Sequence, residues 1–477
     1  MVKKFRTLKA LLSVLCVAAI VLTGAGCNKV RYNESEITSE IFVPGDDGST
    51  GGGSGETSGG DSTASGGKSS ASGTTSGKGG TTSSGEKNTT VTDKNLNGTT
   101  VKILVWYDVP KSEQSVIDAF TKKTGIKVKF TKVAQKNYMT TLASRVGSGA
   151  SPDLACIIGD TFPTPIVRGL MQELDSKYFD VNSSIYAKDV MDAYRWNGKY
   201  YAVAVKGSMM GDMYCVYYNK SMFDEVGAET PYEIWKKSPN SWTWSKFLEL
   251  SKTMTRKTAA GQIYGVSIAY PQAVMLSAGT DLIKLTDKGF TNNMSDQKVK
   301  TAWKWVNQLK ASGAMMTANA YLTDLTQGKV AMHVNGQWLM QKGSAYATGM
   351  KDSWGVAPFP KQDNGEYYVP FRGTMWGVPK NASNVAGAAA CVNYWLNPAN
   401  SVSEVYASKE CKEVHDWLWK QKKSILMSEG VVNFKTAGLS AKIYSELMAG
   451  ANAVDTTLAS YTSTVNGCIE YAMDSRN

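Results

Sequence analysis

Residues 101–158 decide the predicted fold; they read VKILVWYDVPKSEQSVIDAFTKKTGIKVKFTKVAQKNYMTTLASRVGSGASPDLACII. An apolar run at 101–106 predicts a strand, and Val116, Ile117 and Phe120 then share one face of a helix. Residues 126–130 alternate as a strand does, residues 138–146 carry apolar side chains at every fourth position, and residues 154–158 are apolar throughout. This strand–helix–strand–helix–strand order predicts an α/β fold with a parallel sheet between layers of helices.

Further elements are predicted along the rest of the chain. Residues 214–218 and 375–379 are apolar enough for buried strands, and residues 299–306 and 388–395 have helical periodicity. The last 75 residues or so look largely helical. Open α/β sheets bind ligands at the carboxyl ends of their strands. That rule makes Trp106, Tyr107 and Asp108, after the first strand, and Asp160, after residues 154–158, candidate binding residues.

Nine short segments resemble, in the same order, the family 1 extracellular solute-binding proteins of bacterial ABC importers, the sugar-binding group that includes maltose-binding protein. They are residues 118–128, 149–154, 169–175, 197–203, 217–223, 328–332, 335–338, 355–360 and 376–379. The resemblance implies an α/β, two-lobe, periplasmic-binding-protein-like fold, each lobe a sheet flanked by helices, joined by crossover strands. It assigns residues 96–206 plus 373–400 to lobe 1 and residues 207–372 plus 401–477 to lobe 2, with hinges near 205–212 and 371–374.

The resemblance also implies a function. The chain is expected to capture a carbohydrate, in particular an oligosaccharide, between its lobes and to deliver it to the permease of an ABC importer. Aromatic platforms beside carboxylates and amides suit the apolar faces and polar rims of sugars. Besides the four residues above, the candidate ligand contacts are Asp212, Asn335, Trp338, Arg372 and Trp376.

No sequence motif of an enzyme stands out in residues 101–477. His333 and His415 are isolated, and the sequence lacks the His-Glu-x-x-His, Cys-x-x-Cys and Gly-x-Ser-x-Gly patterns there. We therefore expect no catalysis, no cofactor and no metal. A glycosidase needs only two carboxylates and no motif. A tethered carbohydrate-active enzyme therefore remains an alternative, as does a binding protein that serves as an adhesin or a sensor.

The N-terminal region predicts export and anchoring. Residues 1–26 carry a net charge of +4 and an apolar stretch too short for a comfortable membrane span, as a signal peptide does. The small residues before Cys27 resemble a bacterial lipoprotein box, with ordinary signal-peptide cleavage as the alternative. Of the 38 residues from 48 to 85, 32 are Gly, Ser or Thr. Residues 27–95 are thus expected to be a lipid-anchored, flexible linker with a span of about 45 Å.

The overall net charge of +11 does not indicate nucleic-acid binding, because residues 101–477 contain no run of five basic residues and no RNA-binding aromatic motif. The expected location is the extracellular face of the bacterial cell membrane, and the expected state is a monomer. Five cysteines follow Cys27, an odd number, so at least one is free or paired between chains. We expect them to be buried and reduced.

Overall fold

The structure, a computed structural model, describes residues 94–474 except 287, 318–319 and 402–404. Residues 1–93, with the predicted signal peptide, Cys27 and almost all of the predicted linker, lie outside the described residues. The strands are β1 Thr100–Val105, β2 Lys127–Lys132, β3 Ala155–Ile158, β4 Ala202–Val203, β5 Tyr214–Asn219, β6 Arg256–Thr258, β7 Gly261–Ile268, β8 Ile283–Thr286, β9 Gly289–Asn292, β10 Val330–Gly336, β11 Trp354–Pro358, β12 Val369–Phe371, β13 Thr374–Gly377 and β14 Lys423–Ile425.

The described helices lie between and after these strands. They are α1 Lys111–Thr124, α2 Tyr138–Gly147, α3 Thr164–Val167, α4 Lys188–Ala193, α5 Lys220–Val226, α6 Pro231–Lys237, α7 Trp244–Met254, α8 Gln272–Ser277, α9 Gln297–Ala311, α10 Leu322–Thr326, α11 Ala345–Gly349, α12 Val385–Trp395, α13 Lys409–Leu418, α14 Ser428–Asn433, α15 Leu439–Ala449 and α16 Val454–Asp474. Within the described ranges, no helix is both long and apolar enough to span a bilayer.

The first sheet grows from residues 101–158. Strands β1 and β2 pair in parallel, and a parallel bridge between Ile103 and Leu154 places β3 on the other side of β1. The strand–helix–strand–helix–strand prediction is therefore confirmed. The late strand β13 then pairs antiparallel with both β3 and β4, which makes the sheet mixed. Because β13 runs opposite to β3, its first residue lies at the edge where β3 ends.

The second sheet has the order β11-β5-β10-β7-β6. Strand β5 pairs antiparallel with β10 and β11, while β10 and β7 are parallel. Every residue of β5 and β10 is buried, as expected for central strands covered on both faces. The carboxyl ends of β7 and β10 and the start of β5 consequently meet at one edge of this sheet.

The helices that flank the sheets begin and end where their sequences favour it. Helix α1 buries Val116, Ile117 and Phe120 and ends at Gly125, whose φ of 72° favours glycine. Helix α6 starts with Thr230 and Glu233, whose side chains bond each other's backbone amides in a capping box. These local signals set where α1 ends and where α6 begins, and the apolar face of α1 packs into the core.

Two segments link strands of the first sheet to strands outside it. Residues 204–213 run from β4 to β5, and residues 372–373 run from β12 back to β13. The two segments lie side by side, because Met213 bridges Phe371 and the Arg372 amide donates to the Asp212 carbonyl over 3.1 Å. The residues that divide the lobes remain a prediction.

Candidate functional site

Strand ends from both sheets bring charged and aromatic side chains together. Asp160 follows β3, Arg372 precedes β13, and Asp212 precedes β5. Tyr270 follows β7 and Trp338 follows β10. With Glu429 in α14, these side chains form the Arg372 cluster: Asp160, Asp212, Tyr270, Trp338, Arg372 and Glu429. The rule that directs ligands to the carboxyl ends of strands fits Asp160, Tyr270 and Trp338, which follow β3, β7 and β10.

Arg372 is held mainly by Asp212. Its Nη2 and Nε donate to Oδ2 of Asp212 over 2.9 and 3.3 Å, and the Thr374 hydroxyl donates to the same oxygen. Burial acts to lower the pKa of Arg372, but the charges of Asp212 and Asp160 outweigh it and raise the pKa well above its usual value. The guanidinium is therefore a fixed positive charge in the cluster.

Asp160 is the less satisfied partner of Arg372. Its Oδ2 lies 4.0 Å from Nη1 of Arg372, while its Oδ1 is buried and has no hydrogen-bond partner among the described residues. Burial raises the pKa of Asp160, Arg372 acts to lower it, and Asp212 raises it further. A buried acceptor without a donor is costly, so this oxygen is well suited to accept a hydrogen bond from a ligand.

Two aromatic rings border the charged groups. The rings of Trp338 and Tyr270 meet edge to face, 6.0 Å between centroids, and both are half-buried. The Arg372 guanidinium carbon lies 5.6 Å from the Trp338 ring and 6.0 Å from the Tyr270 ring. Such distances suit cation–π attraction, which helps to orient the two rings, and the Tyr270 ring also stacks on Tyr214 at 4.7 Å between centroids.

Glu429 approaches the cluster from the C-terminal helices. Glycine at position 430 permits this, because a β-carbon there would clash with the carbonyl oxygens of Phe162 and Gly159. The Gln272 amide donates to Oε1 of Glu429 over 2.9 Å. Burial, and then the like charge of Asp160, raise the pKa of Glu429 to about 8, although Arg372 acts to lower it.

Trp106 and Tyr107 lie at the end of β1, as predicted, and both are half-buried. The Trp106 ring meets the Tyr138 ring edge to face at 5.0 Å. The Tyr107 hydroxyl donates to Oε2 of Glu113 over 3.4 Å, and burial raises the pKa of Glu113 to about 7. Both rings can therefore offer an exposed part to a ligand while the rest packs against the core beside β1.

Three candidates are placed differently. The Asp108 side chain is 87% exposed and pairs with Lys132 at 2.6 Å. Asn335 is fully buried, where its amide lies 3.0 Å from His333 and its oxygen accepts from Gly336. Trp376 is also fully buried, edge-on to Trp395 at 4.9 Å. The structure does not bring these three side chains to the Arg372 cluster.

Two cluster members were missed from sequence. Tyr270 follows a strand, so the rule that identified Trp106 could have found it. Glu429 carries no sequence signal, because it reaches the cluster only through the long-range contact of Gly430 with residues 159 and 162. In the described part of the chain, no group of three or more His, Cys, Asp or Glu side chains is arranged to hold a metal ion.

Known proteins share this architecture. The family model for bacterial extracellular solute-binding proteins matches residues 115–407. A galactooligosaccharide-binding protein of Bacillus subtilis is 24% identical over 341 residues, covering 66% of this chain and 73% of that protein. The maltodextrin-binding protein MdxE of the same species is 25% identical over 341 residues, covering 68% and 76%.

A solved structure gives the same result for the fold. The cyclic alpha-maltosyl-1,6-maltose binding protein from Arthrobacter globiformis has a TM-score of 0.60 at 17% identity and covers 78% of this chain and 99% of its own. At this identity the likeness concerns the fold alone. The predicted periplasmic-binding-protein-like α/β fold is thereby confirmed.

Proposed function

Because this chain belongs to the bacterial extracellular solute-binding proteins, we propose that it captures a carbohydrate at the Arg372 cluster, between its two lobes. The two Bacillus subtilis relatives are named for galactooligosaccharide and maltodextrin, which supports an oligosaccharide as the ligand. The proposed contacts are Trp106, Tyr107, Asp160, Asp212, Trp338 and Arg372, joined by Tyr270 and Glu429.

One observation carries the proposal: the half-buried rings of Trp338 and Tyr270 lie directly beside buried charged groups where strands of the two sheets end. A sugar ring presents an apolar C–H face, which suits the Trp338 and Tyr270 rings. Its hydroxyl rim needs acceptors such as Oδ1 of Asp160, which lacks a donor among the described residues. Apolar surfaces with a few placed polar groups are the usual composition of small-ligand sites.

We further propose that the bound carbohydrate is delivered to the permease of an ABC importer. The mature protein would be a monomer anchored through lipidated Cys27 to the extracellular face of the cell membrane. The basic, apolar and small-residue run before Cys27 supports the anchor. The extracellular family to which the chain belongs supports the location.

Binding without chemistry is part of the proposal. The matched family and the relatives named above are binding proteins. A tethered carbohydrate-active enzyme would convert its ligand. If the chain only binds, the purified protein should return its tightest sugar unchanged. Steady turnover that persists after repurification would favour the enzyme. If cells that lack the gene for this protein still take up its sugar at the normal rate, an adhesin or a sensor would be favoured.

A thermal-shift screen tests the proposed function. The full chain, purified in detergent, is heated with monosaccharides and with oligosaccharides of glucose and galactose. A ligand present at 100 times its Kd adds about 2.7 kcal/mol to the free energy of unfolding. We expect at least one oligosaccharide to raise the melting temperature. If no carbohydrate does, the proposed function is wrong.

A further inference from the structure

The Arg372 cluster holds more buried acids than bases. Its three carboxyl groups, of Asp160, Asp212 and Glu429, are 7%, 8% and 5% exposed, and its one guanidinium, of Arg372, is 9% exposed. Water therefore screens none of them well. With every group ionised, the cluster would carry two uncompensated negative charges, which a low-dielectric interior strongly disfavours.

The single guanidinium is committed to one of the three acids. Two of its nitrogens donate to Asp212, at 2.9 and 3.3 Å, whereas its closest approach to Asp160 is an Nη1–Oδ2 distance of 4.0 Å. Asp160 retains a buried Oδ1 without a partner among the described residues. Glu429 receives a neutral amide hydrogen bond from Gln272. Asp160 and Glu429 are thus the undercompensated acids.

A fourth buried acid nearby has a different role. Asp281 accepts hydrogen bonds from the backbone amides of Leu282, Met427 and Ser428, and from the Ser428 hydroxyl. Its carboxylate is saturated by the chain itself and fixes the start of α14. By contrast, Asp160 has an oxygen without a hydrogen-bond partner among the described residues, and Glu429 receives a hydrogen bond from the neutral Gln272 amide.

We propose that the carbohydrate taken by this site carries a positively charged amino group, which binds between Asp160 and Glu429. This inference rests on the proposed function and narrows its ligand class. A neutral sugar would donate hydroxyl hydrogen bonds to these acids but bring no positive charge to Asp160 or to an ionised Glu429. An ammonium group brings three donors and one positive charge, and its charge-assisted bonds to carboxylates are the stronger kind.

Binding of an ammonium group should change the protonation state of Glu429. Burial and the nearby Asp160 raise the pKa of Glu429 to about 8, so free protein holds its proton at neutral pH. The charged or titratable groups that act on Glu429 or respond to it are Asp160, Asp281, Arg372, Tyr214 and Tyr444. An ammonium ligand favours ionised Glu429, so binding should release a proton to the buffer. A neutral sugar should release none.

The experiment is calorimetric titration of the full chain in detergent with matched sugar pairs. The pairs are glucosamine and glucose, galactosamine and galactose, and the β-1,4 dimer and trimer of glucosamine with their N-acetylated forms. We expect the amine to bind about tenfold or more tightly than its neutral partner in at least one pair. Titrations in two buffers of different ionisation enthalpy should show the released proton.

Variants locate the effect. Glu429→Gln and Asp160→Asn should each reduce the preference for the amine by about tenfold, and Glu429→Gln should abolish the proton release. Asp324→Asn is the matched control, because Asp324 is 1% exposed in lobe 2 and caps Tyr321, away from the cluster. It should leave the preference unchanged.

The outcomes separate the two levels of the proposal. If neutral sugars bind as tightly as their amines in every pair, or tighter, the inference is wrong and the carbohydrate-binding function stands. If an amine is preferred but both cluster variants leave that preference intact, the assignment to Asp160 and Glu429 is wrong. If no carbohydrate binds in these titrations or in the thermal-shift screen, the proposed function itself fails.

Discussion

At the scale of single residues, Trp338 is the sharpest test of where the sugar lies. Its indole fits against Gly336, where a β-carbon would clash with the ring, and part of it stays exposed. Trp338→Ala should weaken sugar binding by about 2–3 kcal/mol, or roughly 30- to 150-fold in Kd, since it removes a stacking face. Calorimetric titration with the tightest sugar measures this.

A buried tryptophan provides the control for that change. Trp303 is 1% exposed and stacks on Tyr444 at 5.5 Å, so Trp303→Ala should lower the free energy of unfolding by about 3–5 kcal/mol and leave Kd unchanged. If Trp338→Ala behaves like this control, Trp338 belongs to the core, and Trp106 or Tyr107 becomes the proposed platform.

Asp212 tests the pairing that holds Arg372. Its φ of 53° lies in the left-handed region, which asparagine tolerates, so Asp212→Asn keeps the backbone while removing the charge. Arg372 would then lose its charge-assisted hydrogen bonds and keep only Asp160, at 4.0 Å, as an acidic partner, so the free energy of unfolding should fall by about 1–3 kcal/mol. Urea denaturation measures the change. Adding Arg372→Gln to Asp212→Asn should restore part of the lost free energy of unfolding. If Asp212→Asn alone costs less than about 1 kcal/mol, the pairing of Asp212 with Arg372 is contradicted.

Glu429 gives the protein a pH dependence of known sign. Its pKa rises from 4.5 in the unfolded chain to about 8 in the folded protein, because burial penalises its charge. Protonated Glu429 therefore favours the folded state, and its contribution is complete below about pH 4.5 and lost as pH rises through about 8. Urea denaturation from pH 5 to 8 should show a fall in the free energy of unfolding. Glu429→Gln should remove the part of that fall that comes from Glu429. Identical slopes for both proteins would argue against a raised pKa.

At the scale of elements, the paired crossover segments are the expected hinge. Gly207 and Gly373 have φ values of 70° and 85°, which favour glycine, and the segments join along Asp212 and Arg372. Binding of the tightest sugar should shrink the radius of gyration toward the roughly 21 Å expected for a compact body of this size. Small-angle scattering of the full chain with and without the sugar measures the change in radius of gyration. Unchanged scattering at saturating sugar would contradict lobe closure.

The strands and helices of residues 101–158 could be predicted because their signals are local in the sequence. Residues 101–158 carry strong local periodicity, and the predicted order of strands and helices holds there. The antiparallel insertion of β13 beside β3 depends on a contact across more than 200 residues, which no local pattern encodes. The same limit applies to the site: strand ends pointed to Asp160, but only the folded chain shows that Trp376 faces the core and that Glu429 arrives from α14.

At the scale of the whole molecule, the expected anchor links capture to the membrane. Cys27 precedes a Gly-, Ser- and Thr-rich tract with an expected span of about 45 Å, so the lobes would be able to move within that distance of the surface. Cys27→Ala should shift the protein from the membrane fraction into the medium, because the lipid attachment site is gone. Immunoblots of both fractions test this; a variant that stays with the membranes would contradict the lipoprotein prediction.

All five cysteines in the described residues are free and buried: Cys156, Cys215, Cys391, Cys411 and Cys468. Outside the cell, oxidants meet such thiols only when the chain opens, because only an accessible thiolate reacts. A molecule that unfolds there can be trapped by mispaired or oxidised sulfurs before it refolds. Its working lifetime is then set by the rate of unfolding rather than by its equilibrium stability.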